Sequence, residues 1–401
     1  MCPSDPDSPQ GVIELGPRPL ILLGAGASVE AGIPATVEMT KEIVARIGQS
    51  SHHTQMAQAL NFVCGALVAY DSAEGASPYA GLDVERVIAA VELLAERRTL
   101  EVSPFVSSWH PAVDVWDRQP SPSFFDSNFQ KSLLGNIGPS LQQLIEQLID
   151  ARTGIGSGET YSALQRRMID ELCGIVTDPK DLGYLRPLAN AARAHPGLWV
   201  ATLNYDLTVE RACQMYDASV YTGIQDWIAN RAWNWTTAAD LKLLKLHGSI
   251  DWRWSQDKDQ PGHLPIATVT HTDEVGTDQG PPVVLFGQRG KLREEGPFLS
   301  LLAEFEMALT EVSRLIVIGY SFRDPHINTV IRRWTRGDLT RTIAVVDPNF
   351  PDDPWQQDDD FRTELLAHLK PPSWKSDTSF LDRLDVRRVK ASEALAEMAW
   401  S

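Results

Sequence analysis

The feature that most constrains this chain is a short apolar run, Leu20–Leu23, followed directly by Gly-Ala-Gly-Ala-Ser at 24–28. Turn signals on both sides of the run predict a buried strand. Gly24, Gly26 and Gly32 keep the turn that follows free of bulky side chains before a helix begins. Backbone N–H groups at such a turn are suited to binding an anion. The spacing is Gly-x-Gly-x-Ser, not the full Gly-x-Gly-x-x-Gly of dinucleotide-binding turns, so an anion site and a plain tight turn both remain open.

The charge and cysteine content of the chain narrow the classes of protein it can belong to. A formal net charge of −17 over 401 residues disfavours a nucleic-acid-binding surface, so an anionic ligand has to be held by backbone amides and a few local groups. The cysteines are scattered, which disfavours a zinc ribbon and a disulfide framework. We find no secretory leader and no apolar run long enough for a membrane span, and we expect a soluble cytoplasmic protein.

Two kinds of pattern alternate along the chain. Strand–turn–helix units in 18–48 and 196–350 predict an α/β fold, and helical periodicity in 49–195 predicts an inserted helical module. We expect 1–17 to be mobile and 351–401 to form an acidic linker with a C-terminal strand and helix. The predicted helices of the module are 56–69, 84–97, 132–149 and 161–173, and the predicted tail elements are a strand at 384–389 and a helix at 392–400.

Polar residues follow two of the predicted strands. Asn204 and Asp206 come directly after the strand 198–203, where ligands sit in open α/β sheets, although both residues could simply turn the chain and cap the next helix. His247 follows the apolar stretch 241–246. A lone histidine is more often structural than catalytic, but the adjacent Gly248 is expected to expose this imidazole.

A second glycine-led turn begins at Gly319, after a predicted strand at 314–318. Asp324 is well placed to cap the following helix, with Pro325 at its first position. The next strand, 342–346, ends at Asp347 and Asn349.

Four separated motifs together resemble the Sir2 (sirtuin) family, and they occur in the order found in that family. They are Gly-Ala-Gly-Ala-Ser with Ala-Gly-Ile-Pro at 24–34, Thr-Leu-Asn-Tyr-Asp at 202–206, Leu-His-Gly-Ser at 246–249 and Gly-Tyr-Ser-Phe at 319–322. The stretch 282–287 is also similar to the strand ending Phe-Gly-Glu in that family, with Gln288 in place of the acid.

The resemblance implies a Rossmann-like, mostly parallel sheet that binds NAD, with a large inserted helical module and no zinc ribbon. It implies that Asn204 and Asp206 face the nicotinamide ribose and carboxamide and that His247 is the catalytic base. The residues it assigns to NAD binding are Gly24, Ala25, Gly26, Ser28 and Gly32 in the first turn, Thr202, Gly319 and Ser321, and Asp347 or Asn349 near the adenosine.

Departures from the family pattern refine this expectation. Protein-deacylating sirtuins carry a four-cysteine zinc module after the His-Gly motif, whereas this chain has no cysteine after Cys213. Ala35-Thr36-Val37 replaces the family's Asp-Phe-Arg, and the insertion is large. These traits resemble the zinc-less bacterial Sir2-like NAD hydrolases of antiphage defence, which implies hydrolysis of NAD+ to nicotinamide and ADP-ribose.

That resemblance also implies control by association. We expect a homo-oligomer and, as a partner, a HerA-type ring ATPase. Two alternatives stay open: a zinc-independent NAD-dependent deacylase or ADP-ribosyltransferase, and a non-catalytic sensor of NAD or ADP-ribose.

Overall fold

The computed structural model describes residues 13–14, 19–49, 53–75, 81–97, 99–102, 113, 159–256, 267–272, 282–285, 296–352, 360–370 and 382–399. Several parts of the sequence predictions fall outside these ranges. They include the helix at 132–149, the end of the Phe-Gly-Gln stretch at 286–288, most of the N-terminal stretch 1–17 and parts of the acidic linker after 350.

The centre of the protein is a seven-stranded sheet in which every described pair of neighbouring strands is parallel. The strand order is β11-β10-β9-β2-β3-β5-β4, so the strand that precedes the first glycine turn lies in the middle. The predicted α/β fold with a mostly parallel sheet is confirmed. The strands are β2 (Leu20–Leu23), β3 (Leu198–Thr202), β4 (Val220–Tyr221), β5 (Leu241–Lys245), β9 (Arg314–Ile318), β10 (Thr342–Val346) and β11 (Leu384–Arg387).

The strands in the middle of this sheet are buried on both faces, which explains why they are mostly apolar runs; they are β2, β3, β5, β9 and β10. Side chains alternate between the two faces, so Leu20 and Leu22 enter one hydrophobic cluster and Ile21 and Leu23 enter the other. A strand that is buried on both faces has no side facing solvent, so its sequence shows no alternation of polar and apolar residues.

Smaller sheets complete the described strands. A three-stranded antiparallel sheet in the order β7-β6-β8 follows the His-Gly motif. Within the N-terminal stretch predicted to be mobile, β1 pairs in parallel with β12 near the C-terminus. The bounds are β1 (Ile13–Glu14), β6 (Gly248–Gln256), β7 (Ala267–His271), β8 (Pro282–Val284) and β12 (Met398–Ala399).

Three of the described α-helices begin with an aspartate that satisfies free N–H groups of the first helical turn. The side chains of Asp83, Asp324 and Asp360 each accept a backbone N–H at a helix start, and Pro325 follows Asp324 as predicted. The helices are α1 (Thr36–Gly48), α2 (Thr54–Ala73), α3 (Val84–Ala95), α4 (Glu159–Val176), α5 (Arg186–Ala194), α6 (Thr208–Met215), α7 (Ile224–Asn230), α8 (Phe298–Thr310), α9 (Pro325–Gly337), α10 (Phe361–Leu369) and α11 (Ala391–Glu397).

The chain divides into two compact units. The first contains the described residues up to Ala35 and those from Cys173 onward, and the second is Thr36–Leu172. The sequence placed these boundaries at 48 and 196. The difference arises because α1 packs on α2 and α3, whereas α5 packs on α6 and α11.

No helix among the described residues is both long and apolar enough to cross a bilayer.

Candidate active site

The polar segments singled out by the sequence follow strands whose ends are in register. Leu23 pairs with Thr202 on one side and Ile318 on the other, Thr202 pairs with Lys245, and Ile318 pairs with Val346. The two glycine turns, the Asn-Tyr-Asp turn, the His-Gly turn and Asp347 therefore all leave the sheet at one edge. In open α/β sheets this carboxyl edge is where ligands bind.

The two glycine turns are packed backbone against backbone. The N–H of Gly26 donates to the carbonyl of Gly319 at 2.8 Å, and the N–H of Gly24 donates to the carbonyl of Ile318 at 2.9 Å. A Cβ added at Gly24 would lie 2.6 Å from the oxygen of Gly319, and one added at Gly26 would lie 2.8 Å from its Cα. Glycine is required at 24 and 26 because another backbone occupies the space of a side chain.

Ser28, Asn204 and Asp206 form a buried hydrogen-bond network with the first turn. The Asn204 amide donates to the carbonyl of Gly24 and to Ser28 Oγ, both at 2.9 Å, and Ser28 Oγ donates to Asp206 Oδ2 at 2.8 Å. Thr202 Oγ1 accepts the N–H of Asn204 at 3.1 Å. Residues from two distant parts of the sequence thus meet at the sheet edge.

Asp206 also holds the turn at the start of the helix after β3, which is the structural role that the sequence analysis left open. Its Oδ1 accepts the N–H and the hydroxyl of Thr208 at 3.0 and 2.6 Å, at the start of α6. A single carboxylate therefore joins the first glycine turn to the helix that follows β3.

An ion pair between a buried lysine and a partly buried glutamate holds the backbone of Asp206. Lys245, only 1% exposed, donates from Nζ to the Asp206 carbonyl at 2.6 Å and to Glu210 Oε1 at 2.7 Å. Burial raises the pKa of Glu210, and the nearby ammonium group opposes that shift. Neither residue carried a sequence signal, because their pairing depends on α6 lying over β5.

His247 lies beside this network and is buried. Its ring stacks on that of Tyr205 with centroids 6.4 Å apart, and its Nε2 lies 2.9 Å from Asp324 Oδ2. The expectation that Gly248 exposes the imidazole is wrong, since His247 is 4% exposed. Gly248 has a different role: its φ is +84°, and an added Cβ would lie 2.0 Å from the carbonyl oxygen of Val283 in β8.

The pairing of His247 with Asp324 was missed by the sequence analysis, which assigned Asp324 only as a helix cap. The two residues are 77 positions apart, and both side chains are at least 95% buried. A carboxylate within hydrogen-bond distance of an imidazole fixes its orientation and favours a proton on the paired nitrogen.

The residues expected near an adenosine lie along the same edge but outside the network described above. Ser321 and Asn349 are exposed, and the Asp347 carboxylate accepts the N–H of Asn349 at 2.9 Å. Gly319 donates its N–H to the carbonyl of Val346 at 2.9 Å, which holds the second glycine turn against the strand that leads to Asp347.

The remaining predicted turn residues also have structural explanations. Ala25 and Gly26 are exposed at the start of a single 3-10 turn, Ala25–Ser28. The Tyr184 hydroxyl donates to the carbonyl of Ala27 at 2.5 Å. Gly32 has a φ of +83° and packs against the Lys180 side chain.

Within the part of the chain that the structure describes, no group of three or more His, Cys, Asp and Glu side chains is arranged to hold a metal ion.

Comparison with known families gives one match to a part of the chain. Residues 199–368 match the model of a SIR2-like domain. The match covers less than half of the chain. It contains Asn204, Asp206, His247 and the second glycine turn, while the first glycine turn lies outside it. The contacts of Ser28 and Gly24 with Asn204 and Asp206 join that first turn to the SIR2-like domain.

Solved structures similar to this chain include several Sir2 homologues. A Sir2 homologue in complex with NAD is 13% identical, with 96% of this chain and 88% of that chain covered and a TM-score of 0.36. A mutant Sir2 homologue with 2′-O-acetyl ADP ribose is 12% identical, with 96% and 90% covered and the same TM-score. TM-scores this low do not support residue-by-residue correspondence. No curated protein matches the chain.

Proposed function

We propose that the SIR2-like domain hydrolyses NAD+ at the nicotinamide–ribose bond, giving nicotinamide and ADP-ribose. The observation that supports this most is the convergence of four motifs at one sheet edge. Ser28, Asn204 and Asp206 are joined by hydrogen bonds of 2.8–2.9 Å, and His247 stacks on Tyr205, the residue between Asn204 and Asp206.

Cleavage of this bond requires stabilisation of positive charge on the ribose. As the C1′–N bond breaks, nicotinamide leaves as a neutral molecule and the ribose becomes oxocarbenium-like. A buried carboxylate at Asp206 stabilises that charge electrostatically, most strongly where bulk water is excluded. The Asn204 side chain is positioned to orient the carboxamide or the ribose.

Water completes the proposed reaction. Its oxygen forms a new bond to C1′, and its proton passes to His247, which acts as the general base. The net reaction is NAD+ plus water to nicotinamide, ADP-ribose and a proton. Transfer to an acylated peptide would use the same residues. The lack of any cysteine after Cys213, and hence of a four-cysteine zinc module there, favours water as the acceptor.

The test is release of nicotinamide from NAD+ by the purified protein. His247→Ala and Asn204→Ala are each expected to lower kcat by about 10²–10⁴-fold, the usual effect of losing a positioned catalytic group. Exposed residues of the same types supply matched controls, His368→Ala on α10 and Asn190→Ala on α5, which should retain full activity. Equal turnover by wild type and His247→Ala would refute the proposed site.

Two further outcomes would identify the alternatives. Nicotinamide release that occurs only with an acylated peptide would indicate a deacylase or an ADP-ribosyltransferase. Calorimetric binding of NAD+ without turnover would indicate a sensor.

The proposal includes a biological setting, that of a regulated NAD-depleting effector in bacterial antiphage defence. Unrestrained hydrolysis of NAD+ would harm the cell that makes the enzyme, so control by self-association or by a HerA-type ring ATPase is part of the proposal. Sedimentation of the protein alone and with that ATPase tests this part. A protein that stays monomeric and does not bind the ATPase would refute it.

A further inference from the structure

Asp324 is an acidic residue at this edge that the motif resemblance did not assign to the reaction. We propose that Asp324 is a positioning residue, whose carboxylate holds the His247 ring in the orientation and tautomer that hydrolysis requires. This inference rests on the proposed function and names a further residue of the same site.

The two carboxylate oxygens of Asp324 have separate partners. Oδ1 accepts the backbone N–H groups of His326 at 2.9 Å and Ile327 at 3.4 Å, which caps α9. Oδ2 lies 2.9 Å from His247 Nε2. A cap alone uses one oxygen, so the second is available to act on the imidazole.

Asp324 is itself held rigidly by the second glycine turn. Its N–H donates to the Tyr320 hydroxyl at 3.1 Å, and that hydroxyl lies 3.0 Å from Asn328 Oδ1. The Asn328 amide donates to the carbonyl of Phe322 at 2.6 Å. Phe322 has a φ of +58°, a conformation that is unfavourable for a residue other than glycine and persists only where surrounding contacts enforce it.

A face of the imidazole is also held. The Tyr205 ring stacks on it, and the Tyr205 hydroxyl donates to the carbonyl of Leu285 at 3.2 Å. The His247 carbonyl accepts the N–H of Leu285 at 3.0 Å. The imidazole therefore contacts an aromatic ring at one face and a carboxylate at Nε2.

This geometry selects one tautomer. A neutral imidazole carries a single N–H, and a carboxylate accepts it at Nε2. Nδ1 is then the nitrogen with a lone pair, which is what a general base needs. Loss of the carboxylate would let the proton move to Nδ1, and the base would be lost without loss of the histidine.

Substitution by asparagine separates the two roles of Asp324. Asparagine caps helices as well as aspartate does, so Asp324→Asn keeps the start of α9 while removing the negative charge next to His247. Asp360→Asn is the matched control. Asp360 caps α10 in the same way, accepting the N–H groups of Arg362 at 2.8 Å and Thr363 at 3.1 Å. Among the residues that the structure describes, its side chain has no histidine as a hydrogen-bond partner.

The first readout is turnover of NAD+. Asp324→Asn is expected to lower kcat by about 10²-fold or more while KM stays within about threefold, because the change affects the base and not the binding of NAD+. Asp360→Asn should match the wild type in both constants. Equal kcat for Asp324→Asn and wild type would overturn the inference.

The second readout does not depend on activity. Nitrogen-15 NMR of imidazole side chains reports the tautomer, and His247→Gln identifies the His247 signals. We expect the wild type to hold the proton of neutral His247 on Nε2, and Asp324→Asn to populate the other tautomer. A wild-type His247 protonated on Nδ1 would overturn the inference even if NAD+ is hydrolysed. The expected tautomers with no NAD+ turnover would refute the proposed function and leave the positioning role supported.

Discussion

Adding one methyl group at Gly319 tests the contact between the two glycine turns. Gly319 has a φ of +65°, and an added Cβ would lie 2.3 Å from the nitrogen of Ala27 and 2.5 Å from the carbonyl carbon of Gly26. Gly319→Ala therefore combines two penalties. One is the left-handed backbone conformation, and the other is a collision with a backbone that cannot move independently of the sheet.

Gly197 and Gly26 separate these penalties. Gly197 has a φ of +84° but nothing within 4 Å of the added Cβ, so Gly197→Ala carries the conformational penalty alone. Gly26 has no positive φ, but its Cβ would lie 2.8 Å from Gly319 Cα, so Gly26→Ala carries the collision alone.

These assignments predict an order of stabilities. The left-handed conformation costs about 1–2 kcal/mol and overpacking typically costs about 1–3 kcal/mol. Gly197→Ala should therefore lower the free energy of unfolding by about 1–2 kcal/mol. Gly319→Ala should lower it by about 2–5 kcal/mol, if the two penalties add.

Urea unfolding followed by tryptophan fluorescence gives these differences, because Trp199 and Trp252 are buried in the unit that contains the sheet. The midpoints should shift with little change in the slope. Gly65→Ala, within α2 and with nothing near the added Cβ, is expected to unfold no earlier than the wild type. If Gly319→Ala loses no more stability than Gly197→Ala, the two turns do not touch as described.

Three further predictions concern ionisable groups. The Arg86 guanidinium, hydrogen-bonded to Asp71 at 2.6 and 2.7 Å, lowers the pKa of that carboxyl. The decrease in the free energy of unfolding caused by Asp71→Asn, measured by urea unfolding, should therefore be largest near pH 7 and should shrink as the pH falls below about 4. Burial raises the pKa of the Cys213 thiol to about 12, so peptide mapping should find it unmodified by iodoacetamide at pH 8 until urea unfolds the protein. Lys245→Met should lower the free energy of unfolding by about 3 kcal/mol by leaving Glu210 without its cation, and Lys245→Met combined with Glu210→Gln should recover most of that loss.

Local patterns in the sequence predicted the elements of the sheet well. The apolar runs of β2, β3, β5, β9 and β10 are short and bounded by turn residues, and each proved to be a strand within one or two residues of its predicted ends. The cap at Asp324 and the proline after it were predicted equally well, because the start of a helix depends on three or four consecutive residues.

Contacts between distant elements could not be predicted from local sequence patterns. The pairing of His247 with Asp324 depends on the order of the strands in the sheet. β2 and β3 lie between β5 and β9, yet the side chains of the loops that follow β5 and β9 meet. Burial of the imidazole was mispredicted because Gly248 was read as a source of open space. The structure instead uses that glycine for a close approach to β8.

The position of β2 has a consequence for how the protein is made. This strand is synthesised before both of its neighbours, β3 and β9. Ser28 can form its hydrogen bond to Asp206 only after the ribosome has added that residue, 178 positions further along the chain. At about 5–20 residues per second, the ribosome needs on the order of ten seconds or more to supply the first partner strand. The first turn is completed only when Gly319 has emerged, so a nascent chain that stops before β9 lacks the backbone against which that turn is built.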